Sequence, residues 1–368
     1  MKIDRIDLTH VRIPLVEPFR ISSGAVSEKD ALVIRLSSEG LTGWGESSPM
    51  AGSFYSSDTP ESCWRELCGT LLPSLAGRQF ESLDDAAQCV AAIRASNFAK
   101  AGVETALWDL EAQRQSKPLY RLLGGTRSLA ESGLAVGLYD DVKDMFRAIE
   151  RYLTDGYKRV KIKIEPGRDI ELIRAVRRTF GEIPLFVDAN GAYGLRHTGI
   201  FQTLDEFNLM MYEQPFPGPM LAELADLQRQ VRTPVCLDES LESEADLRRA
   251  IELGSFRIAN IKIQRVGGLR PALRIYEICR EHNIPVWVGT MPELGIGCAQ
   301  GAALATLDHC RFPTDVEASL RWFTDDLTDP LLTVEDGLLN LPEAPGLGYR
   351  VDERKLERYG VATRAFSA

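Results

Sequence analysis

The chain has 368 residues and a formal net charge of −10, from 43 Lys and Arg against 53 Asp and Glu. Charged residues make up 26% and apolar residues 44%, which is typical of globular proteins and excludes collagen-like or disordered chains. The acidic balance argues against nucleic acid or an anionic membrane as partner. The N-terminus lacks the apolar segment of a signal peptide, and no apolar run reaches the roughly 20 residues of a membrane span, so we expect a cytoplasmic protein.

The first 125 residues predict an α+β domain. A helix with apolar residues at helical spacing is expected over 98–115. Two segments rich in Gly, Ser and Pro, 17–27 and 48–57, are typical of surface loops and are candidates for lids over a site. Three strand-like runs precede the helix: 3–15, 31–36 and 41–46.

Residues 134–316 predict a closed parallel barrel, because short aliphatic runs alternate there with helical patterns. The eight runs are GLAVGLY, VKIKI, PLFVDAN, LMMYEQP, PVCLDES, RIANIKI, PVWVGT and FPTDVE. A doubly wound sheet is the structural alternative, but the Gly-rich phosphate turn expected after its first strand is missing from the sequence. The tail beyond the barrel is expected to return to the first domain.

Ionisable residues stand at the ends of successive strand candidates at nearly equal spacing. They are Lys163, Asp188, Glu213, Asp238 and Lys262, separated by 25, 25, 25 and 24 positions. Because barrel active sites form at the carboxyl ends of the strands, this spacing predicts that the five side chains share one mouth. Three carboxylates without a Cys or His partner suit Mg²⁺, with Mn²⁺ as a substitute, whereas zinc fits poorly. A buried salt-bridge network is the structural alternative.

Lysines on both sides of such a centre favour proton transfer at a carbon next to a carboxylate. Strand alternation places Lys161 on the same face as Lys163. Lys163 follows the second strand and Lys262 the sixth, so their amines are expected to reach the carbon from opposite faces. One amine would remove a proton and the other return it, while the metal takes up the charge of an enediolate.

Six strings occur in order along the chain: VKIKIEPG, VDANGAY, YEQP, CLDES, NIKIQRVGG and GLLNLPEAPGLGY. With them, and with ALWDLEAQ and PLYRLLGG, the chain resembles the muconate lactonizing subgroup of the enolase superfamily. Within that subgroup it is most similar to the o-succinylbenzoate synthase and N-succinylamino acid (N-acylamino acid) racemase family. The resemblance covers essentially the whole chain. It implies an α/β fold with a (β/α)7β modified TIM barrel at residues 126–325, under an α+β capping domain formed by residues 1–125 and the tail 326–368.

The resemblance also implies site residues by position. Asp188, Glu213 and Asp238 would hold Mg²⁺, and Lys163 and Lys262 would be the acid/base pair. Substrate-binding or supporting roles are implied for Lys161, Asn190, Glu239, Thr290, Met291, Glu293, Asp315, Trp322, the cap-loop aromatics Phe19 and Tyr55, and Arg265, which matches the arginine of the pattern NIKxGRVGG. Ordinary packing is the alternative for the three aromatic residues.

Two positions depart from the family pattern where specificity is expected. Thr290 stands where GGMxExG has glycine, and Glu317 stands where a small residue is common. A Glu317 carboxylate at the barrel mouth would repel a succinyl tail or attract a cationic group.

The implied activity is Mg²⁺-dependent abstraction of a proton α to a carboxylate. The leading reactions are racemisation of an N-succinyl or other N-acylamino acid and formation of o-succinylbenzoate, which belongs to menaquinone biosynthesis. Muconate cycloisomerase and dipeptide epimerase are alternatives within the superfamily, and a Schiff-base lyase using Lys262 or a non-catalytic binding protein are alternatives from other classes. The expected partner is a small carboxylate rather than nucleic acid or membrane, and the sequence leaves open whether identical chains form a homo-oligomer.

Overall fold

The structure is a computed structural model that describes residues 1–21, 24–52 and 56–367. Its strands are β1 (Arg5–Ile21), β2 (Gly24–Ser38), β3 (Leu41–Ser47), β4 (Leu129–Glu131), β5 (Leu134–Val136), β6 (Val160–Lys163), β7 (Leu185–Asp188), β8 (Tyr212–Glu213), β9 (Val235–Leu237), β10 (Ile258–Ile261), β11 (Val286–Val288), β12 (Thr328–Asp329), β13 (Leu338–Asn340), β14 (Arg350–Val351) and β15 (Gly360–Ser367). Its α-helices are α1 (Pro60–Glu66), α2 (Leu72–Leu75), α3 (Leu83–Ala92), α4 (Asn97–Arg114), α5 (Leu119–Leu122), α6 (Val142–Thr154), α7 (Ile170–Phe180), α8 (Thr198–Leu204), α9 (Leu221–Gln230), α10 (Glu244–Leu253), α11 (Ile263–Val266), α12 (Leu269–Glu281), α13 (Gly295–Ala305), α14 (Ser319–Trp322) and α15 (Glu353–Arg358). A π-helical turn at Leu67–Leu71 joins α1 to α2, and 3₁₀ turns flank α8 at Leu195–His197 and Asp205–Phe207.

An antiparallel sheet, which we call the cap sheet, brings the two ends of the chain together. Strands β1, β2 and β3 follow one another, and β15 pairs with the outer side of β1, so the order is β15-β1-β2-β3. Side chains alternate between its faces: Leu32 and Ile34 pack with the cap helices, whereas Val33 packs with the barrel core. The cap sheet therefore has the cap helices on one face and α15 of the tail near the other, while α4 also contacts α11 and α12 of the barrel directly.

Glycines let helix α4 approach strand β3 closely. A Cβ atom added to Gly45 would lie 2.0 Å from the carbonyl oxygen of Gly102, and one added to Gly43 would lie 2.3 Å from that of Ala106. Both contacts are with helix backbone, which cannot rotate away as a side chain can. The GWG sequence of β3 thus sets the depth at which α4 seats on the sheet.

Seven parallel strands, in the order β11-β10-β9-β8-β7-β6-β5, form the second sheet, with the longer helices of this region between them in sequence. The extended segment 310–316 joins its two edges: Asp315 N donates to Val288 O at 3.0 Å beyond β11, and Thr314 N donates to Glu131 O at 2.8 Å next to β5. The curled sheet therefore closes through this segment, which takes the eighth place in the barrel as irregular backbone rather than as a regular strand. The predicted α/β barrel with an α+β cap is confirmed, and seven of the eight strand candidates are regular strands.

The prediction of a loop at 17–27 is wrong for the residues of this segment that the structure describes. Strands β1 and β2 continue into it, with Phe19 opposite Val26 and Arg20 opposite Ala25. Backbone pairing of this hairpin, together with Phe19 and Val26, outweighs the Gly and Ser residues that suggested irregular structure. In the expected loop 48–57, residues 48–52, 56 and 57 have no regular structure. Within the described ranges, none of the helices combines the length and the apolar character needed to cross a membrane.

Candidate active site

The five residues of the ionisable series lie at the carboxyl ends of neighbouring barrel strands. Lys163, Asp188 and Glu213 end β6, β7 and β8, while Asp238 and Lys262 directly follow β9 and β10. The strand register places Lys163 beside Asp188 and Asp188 beside Glu213. All five side chains are buried. Equal spacing in the sequence has become adjacency in space, as the barrel geometry requires.

The two candidate acid/base lysines approach one cavity from different walls. Lys163 Nζ donates to Asp188 Oδ2 at 2.5 Å and to Asn190 Oδ1 at 2.8 Å. Lys262 Nζ donates to Asp238 Oδ2 at 2.9 Å. Strands β6 and β10 are four places apart in a ring of eight segments, so they lie across the barrel from each other. Both lysines line the cavity.

Lys161 is held between the carboxylates and the closing segment of the barrel. Its Nζ donates to Asp315 Oδ2 at 2.5 Å and lies 3.2 Å from Glu213 Oε2 and 3.5 Å from Asp188 Oδ2. Burial alone lowers the pKa of Lys161, but Asp315 and Glu213 outweigh it and the pKa is raised. Lys161 is therefore a fixed positive charge at the cavity wall.

Arg159 also belongs to this cluster of charges, although it was not predicted as a site residue from the sequence. It is completely buried, donates to Asp315 Oδ1, and lies against the rings of Phe186 and Trp287. Burial raises the pKa of Asp315, but Lys161 and Arg159 reverse this and hold it well below its usual range. Strand alternation contained the signal, because residue 159 faces inward two positions before Lys161.

The three candidate metal ligands differ in how their charge is compensated. Burial raises the pKa of each, yet Lys163 and Lys161 bring that of Asp188 below its ordinary value. Asp238 is likewise lowered, because it contacts Arg265 and Lys262. For Glu213, burial and the neighbouring Asp188 charge raise the pKa to about 8. Glu213 is thus the carboxylate most in need of a further positive charge.

The donor chemistry at these carboxylates fits a hard divalent cation. Glu213 Oε2 is buried and makes no hydrogen bond to the described residues, although the Lys161 ammonium is near. In the described ranges, no three Asp, Glu, His or Cys side chains are arranged so that they could hold a metal ion. Here Lys161, Lys163 and Lys262 contact the carboxylate oxygens instead. Carboxylate oxygens are ligands that Mg²⁺ prefers. This chemistry supports the prediction that Asp188, Glu213 and Asp238 are metal ligands.

Polar residues behind the ligands support them. Asn190, in a left-handed backbone conformation with φ of 42°, donates from Nδ2 to Glu239 Oε1 at 2.9 Å. Burial and the charge of Asp238 raise the pKa of Glu239 to about 7. Asn260 Nδ2 donates to Glu213 Oε1 at 2.8 Å. Arg265 donates to Asp238 and to the backbone oxygens of Leu241 and Asn260.

The walls of the cavity come from both domains. Phe19 of the cap and Trp322 of α14 meet edge to face, with ring centroids 5.0 Å apart. The lining residues are Phe19, Met50, Ala135, Lys161, Lys163, Asn190, Lys262, Thr290, Met291, Pro292, Asp315 and Trp322. Met50, Ala135 and Pro292 were not among the predicted residues, and Tyr55 lies outside the described part of the chain.

Of the predicted carboxylates, Asp315 lines this cavity, whereas the three candidate metal ligands and Glu239 contact its lysine and asparagine side chains without being part of the lining. Glu293 and Glu317 are also absent from the lining and have other partners. Glu293, in the loop between β11 and α13, is buried and accepts a hydrogen bond from Met291 N at 2.9 Å. The expectation that Glu317 presents its charge at the mouth is corrected: Oε1 accepts a hydrogen bond from Ala135 N at 2.7 Å, and Oε2 lies 3.4 Å from Arg321 Nε. The neighbouring backbone donor and guanidinium draw the side chain away from the cavity. Thr290, the other departure, does line it.

Comparison with known proteins places these features in a family. The model for the mandelate racemase / muconate lactonizing enzyme N-terminal domain matches residues 5–124, and that for the enolase C-terminal domain-like family matches residues 144–355. The chain belongs to the enolase superfamily. As a member of it, the chain is an enzyme, and its full length aligns with enzymes of this superfamily.

Relatives and solved structures of enolase-superfamily proteins cover nearly the whole chain. An o-succinylbenzoate synthase from Geobacillus kaustophilus is 42% identical over 100% of this chain and 98% of its own length. An N-succinylamino acid racemase from Thermus thermophilus is 37% identical over 100% of both chains. The crystal structure of an enolase-superfamily member from Listeria innocua superposes with a TM-score of 0.95 at 35% identity, covering 99% of each chain.

Proposed function

We propose that the protein catalyses Mg²⁺-dependent proton transfer at the carbon α to a carboxylate, with Lys163 and Lys262 as the acid/base pair. The observation that carries this proposal is the placement of the two amines on opposite walls of one cavity, next to three buried carboxylates. An amine on each side of a planar enediolate can remove a proton from one face and deliver a proton to the other.

The surrounding residues have separate tasks in this proposal. Asp188 and Asn190 hold the Lys163 amine by two hydrogen bonds, and Asp238 holds that of Lys262. The fixed charge of Lys161 would attract the carboxylate of the substrate. Phe19, Trp322, Met50 and Met291 provide apolar walls that exclude water from the reacting carbon.

Asp188, Glu213 and Asp238 are the residues that would hold Mg²⁺. When bound, the ion supplies Lewis-acid stabilisation of the negative charge that develops on the substrate carboxylate. The protein residues then need only orient the substrate and move the proton.

For the substrate, we propose an N-succinyl or other N-acylamino acid, which would be racemised, or the precursor of o-succinylbenzoate, which would be dehydrated. Full-length relatives named for each of these two activities support this choice. Both reactions begin with the same proton abstraction, so one lysine pair serves either.

A substrate screen tests the proposal. The purified protein with Mg²⁺ is incubated with N-succinyl and N-acetyl amino acids, dipeptides, and the o-succinylbenzoate precursor, and products are followed by chiral chromatography and absorbance. We expect turnover of an N-acylamino acid or of the precursor that EDTA abolishes and Mg²⁺ restores. Turnover confined to dipeptides would replace the substrate assignment, and turnover unaffected by EDTA would contradict the metal-dependent chemistry.

A further inference from the structure

A single amide side chain connects the turn after Lys262 to the cap. Gln264 lies two residues beyond Lys262 in the short helix α11 and is almost completely buried. Its Oε1 accepts a hydrogen bond from Ser48 N at 2.9 Å, and its Nε2 donates to Glu46 O at 2.7 Å. The amide thus pairs with the backbone of residues 46–48 as a neighbouring strand would. Only one orientation of the amide satisfies both partners.

The backbone that Gln264 binds leads directly to a wall of the cavity. Ser48 is two residues before Met50, which lines the cavity together with residues of the barrel loops. The carboxylate of Glu46 in turn accepts hydrogen bonds from Leu294 N and Gly297 N, both at 2.8 Å, at the start of α13. The segment 46–48 is therefore fastened to two barrel loops that carry cavity residues.

The other side of the Lys262 turn is also held by the cap. Asn97, the first residue of α4, donates from Nδ2 to Arg265 O at 2.8 Å. Within the turn, Val266 N donates to Lys262 O at 3.1 Å, so the turn moves with the residues that anchor it. The position of Lys262 depends on the cap through these contacts as well as on strand β10.

We propose that Gln264 is a positioning residue for Lys262: its paired hydrogen bonds fix the turn that carries Lys262 against the cap wall that carries Met50. The inference rests on the proposed function, because it assigns Gln264 to the delivery of a proton by Lys262. Proton transfer is sensitive to such placement, since a misplacement of about 1 Å costs on the order of 100-fold in rate. Gln264 itself does not contact the cavity, so it acts only through Lys262 and Met50.

The chain offers a matched control for this role. Gln300 of α13 is also buried at the interface between barrel and cap, and its Nε2 donates to Trp44 O in strand β3 at 3.2 Å. The substitutions Gln264→Met and Gln300→Met each remove a buried amide that binds cap backbone and keep a similar volume. Only the first lies next to Lys262.

The test compares both variants with the wild type in D₂O with Mg²⁺, using the most active N-acylamino acid of the screen as separate enantiomers. Urea unfolding of each variant establishes that it folds. We expect Gln264→Met to lower kcat by about 10- to 100-fold, with Gln300→Met remaining within about twofold of wild type. In Gln264→Met, one substrate enantiomer should show the change: the one from which Lys163 removes the proton and to which Lys262 returns one. For that enantiomer, the fraction of deuterated product with retained configuration should rise relative to the fraction with inverted configuration.

The graded variant Gln264→Glu provides a second measurement. Its carboxylate can still accept from Ser48 N but opposes the Glu46 carbonyl, so its kcat should lie between those of wild type and Gln264→Met. Equal kcat values and equal retention-to-inversion ratios for Gln264→Met and Gln300→Met would overturn the inference while leaving the proposed function intact. A wild-type protein that exchanges no substrate proton would overturn the proposed function first, and the inference with it.

Discussion

Replacing Asp315 by Ala leaves two buried cations without their shared carboxylate. Asp315 accepts hydrogen bonds from Arg159 and from Lys161, whose side chains are 0% and 4% exposed. The carboxylate itself is 4% exposed, so solvent screens the two ion pairs only weakly. Breaking a buried ion pair by removing one partner costs about 3–5 kcal/mol, because the remaining charge stays desolvated. We expect Asp315→Ala to lower the free energy of unfolding by that amount.

An exposed ion pair provides the matched control. Asp140 contacts Arg20 at 2.7 Å, with side chains 84% and 47% exposed, and Asp140→Ala should cost about 0.2–1 kcal/mol. Urea unfolding followed by fluorescence measures both variants. The double variant Arg159→Met, Asp315→Ala should recover part of the loss, because it removes the cation whose carboxylate partner is gone, whereas Lys161 still has Glu213 and Asp188 beside it. Equal destabilisation by the two alanine substitutions would refute the reasoning about buried charge.

Three further predictions concern a buried acid, a tight packing contact and the metal. Burial raises the folded-state pKa of Glu317 from 4.5 to about 7, so the folded chain keeps a proton that the unfolded chain releases. Its contribution to the free energy of unfolding should fall by about 3 kcal/mol as pH rises from 4.5 to 7, and Glu317→Gln should gain on wild type over that range in urea titrations. A relative gain by wild type would contradict this. Gly45→Ala should lower the thermal midpoint, since overpacking costs about 1–3 kcal/mol, whereas Gly69→Ala, with no neighbour within 4 Å, should not; equal midpoints would count against the backbone contact. Mg²⁺ at 100 times its Kd should stabilise the wild type by about 2.7 kcal/mol and Asp188→Asn much less, and equal stabilisation would argue against Asp188 as a ligand.

Regular spacing made much of the fold and site predictable from the sequence. The series from Lys163 to Lys262 repeats once per βα unit, and a parallel barrel turns that repeat into adjacency at one mouth. Alternation along a strand then determined that Lys161 and Lys163 face the same side. These inferences depend on local periodicity, which the sequence contains directly.

Contacts between distant segments were not predictable in this way. Gln264 reaches residues 46–48, and Met50 reaches the barrel mouth, through a domain arrangement that no local pattern encodes. Glu317 was placed wrongly because its partners, Ala135 N and Arg321, become neighbours only when the barrel closes. The strand pairing at Phe19 was missed because composition outweighed the pairing of the two strands in the prediction.

The central claim is that Lys163 and Lys262 exchange the same α-proton from opposite faces. Deuterium incorporation into each enantiomer of an N-acylamino acid, measured by NMR in D₂O with Mg²⁺, tests it most directly. We expect each single variant, Lys163→Ala and Lys262→Ala, to lose racemisation. Each should still exchange the α-proton of one enantiomer, and the enantiomer should differ between the two variants. The double variant should exchange neither enantiomer. Exchange that survives in the double variant, or exchange of both enantiomers by either single variant, would contradict the two-lysine account.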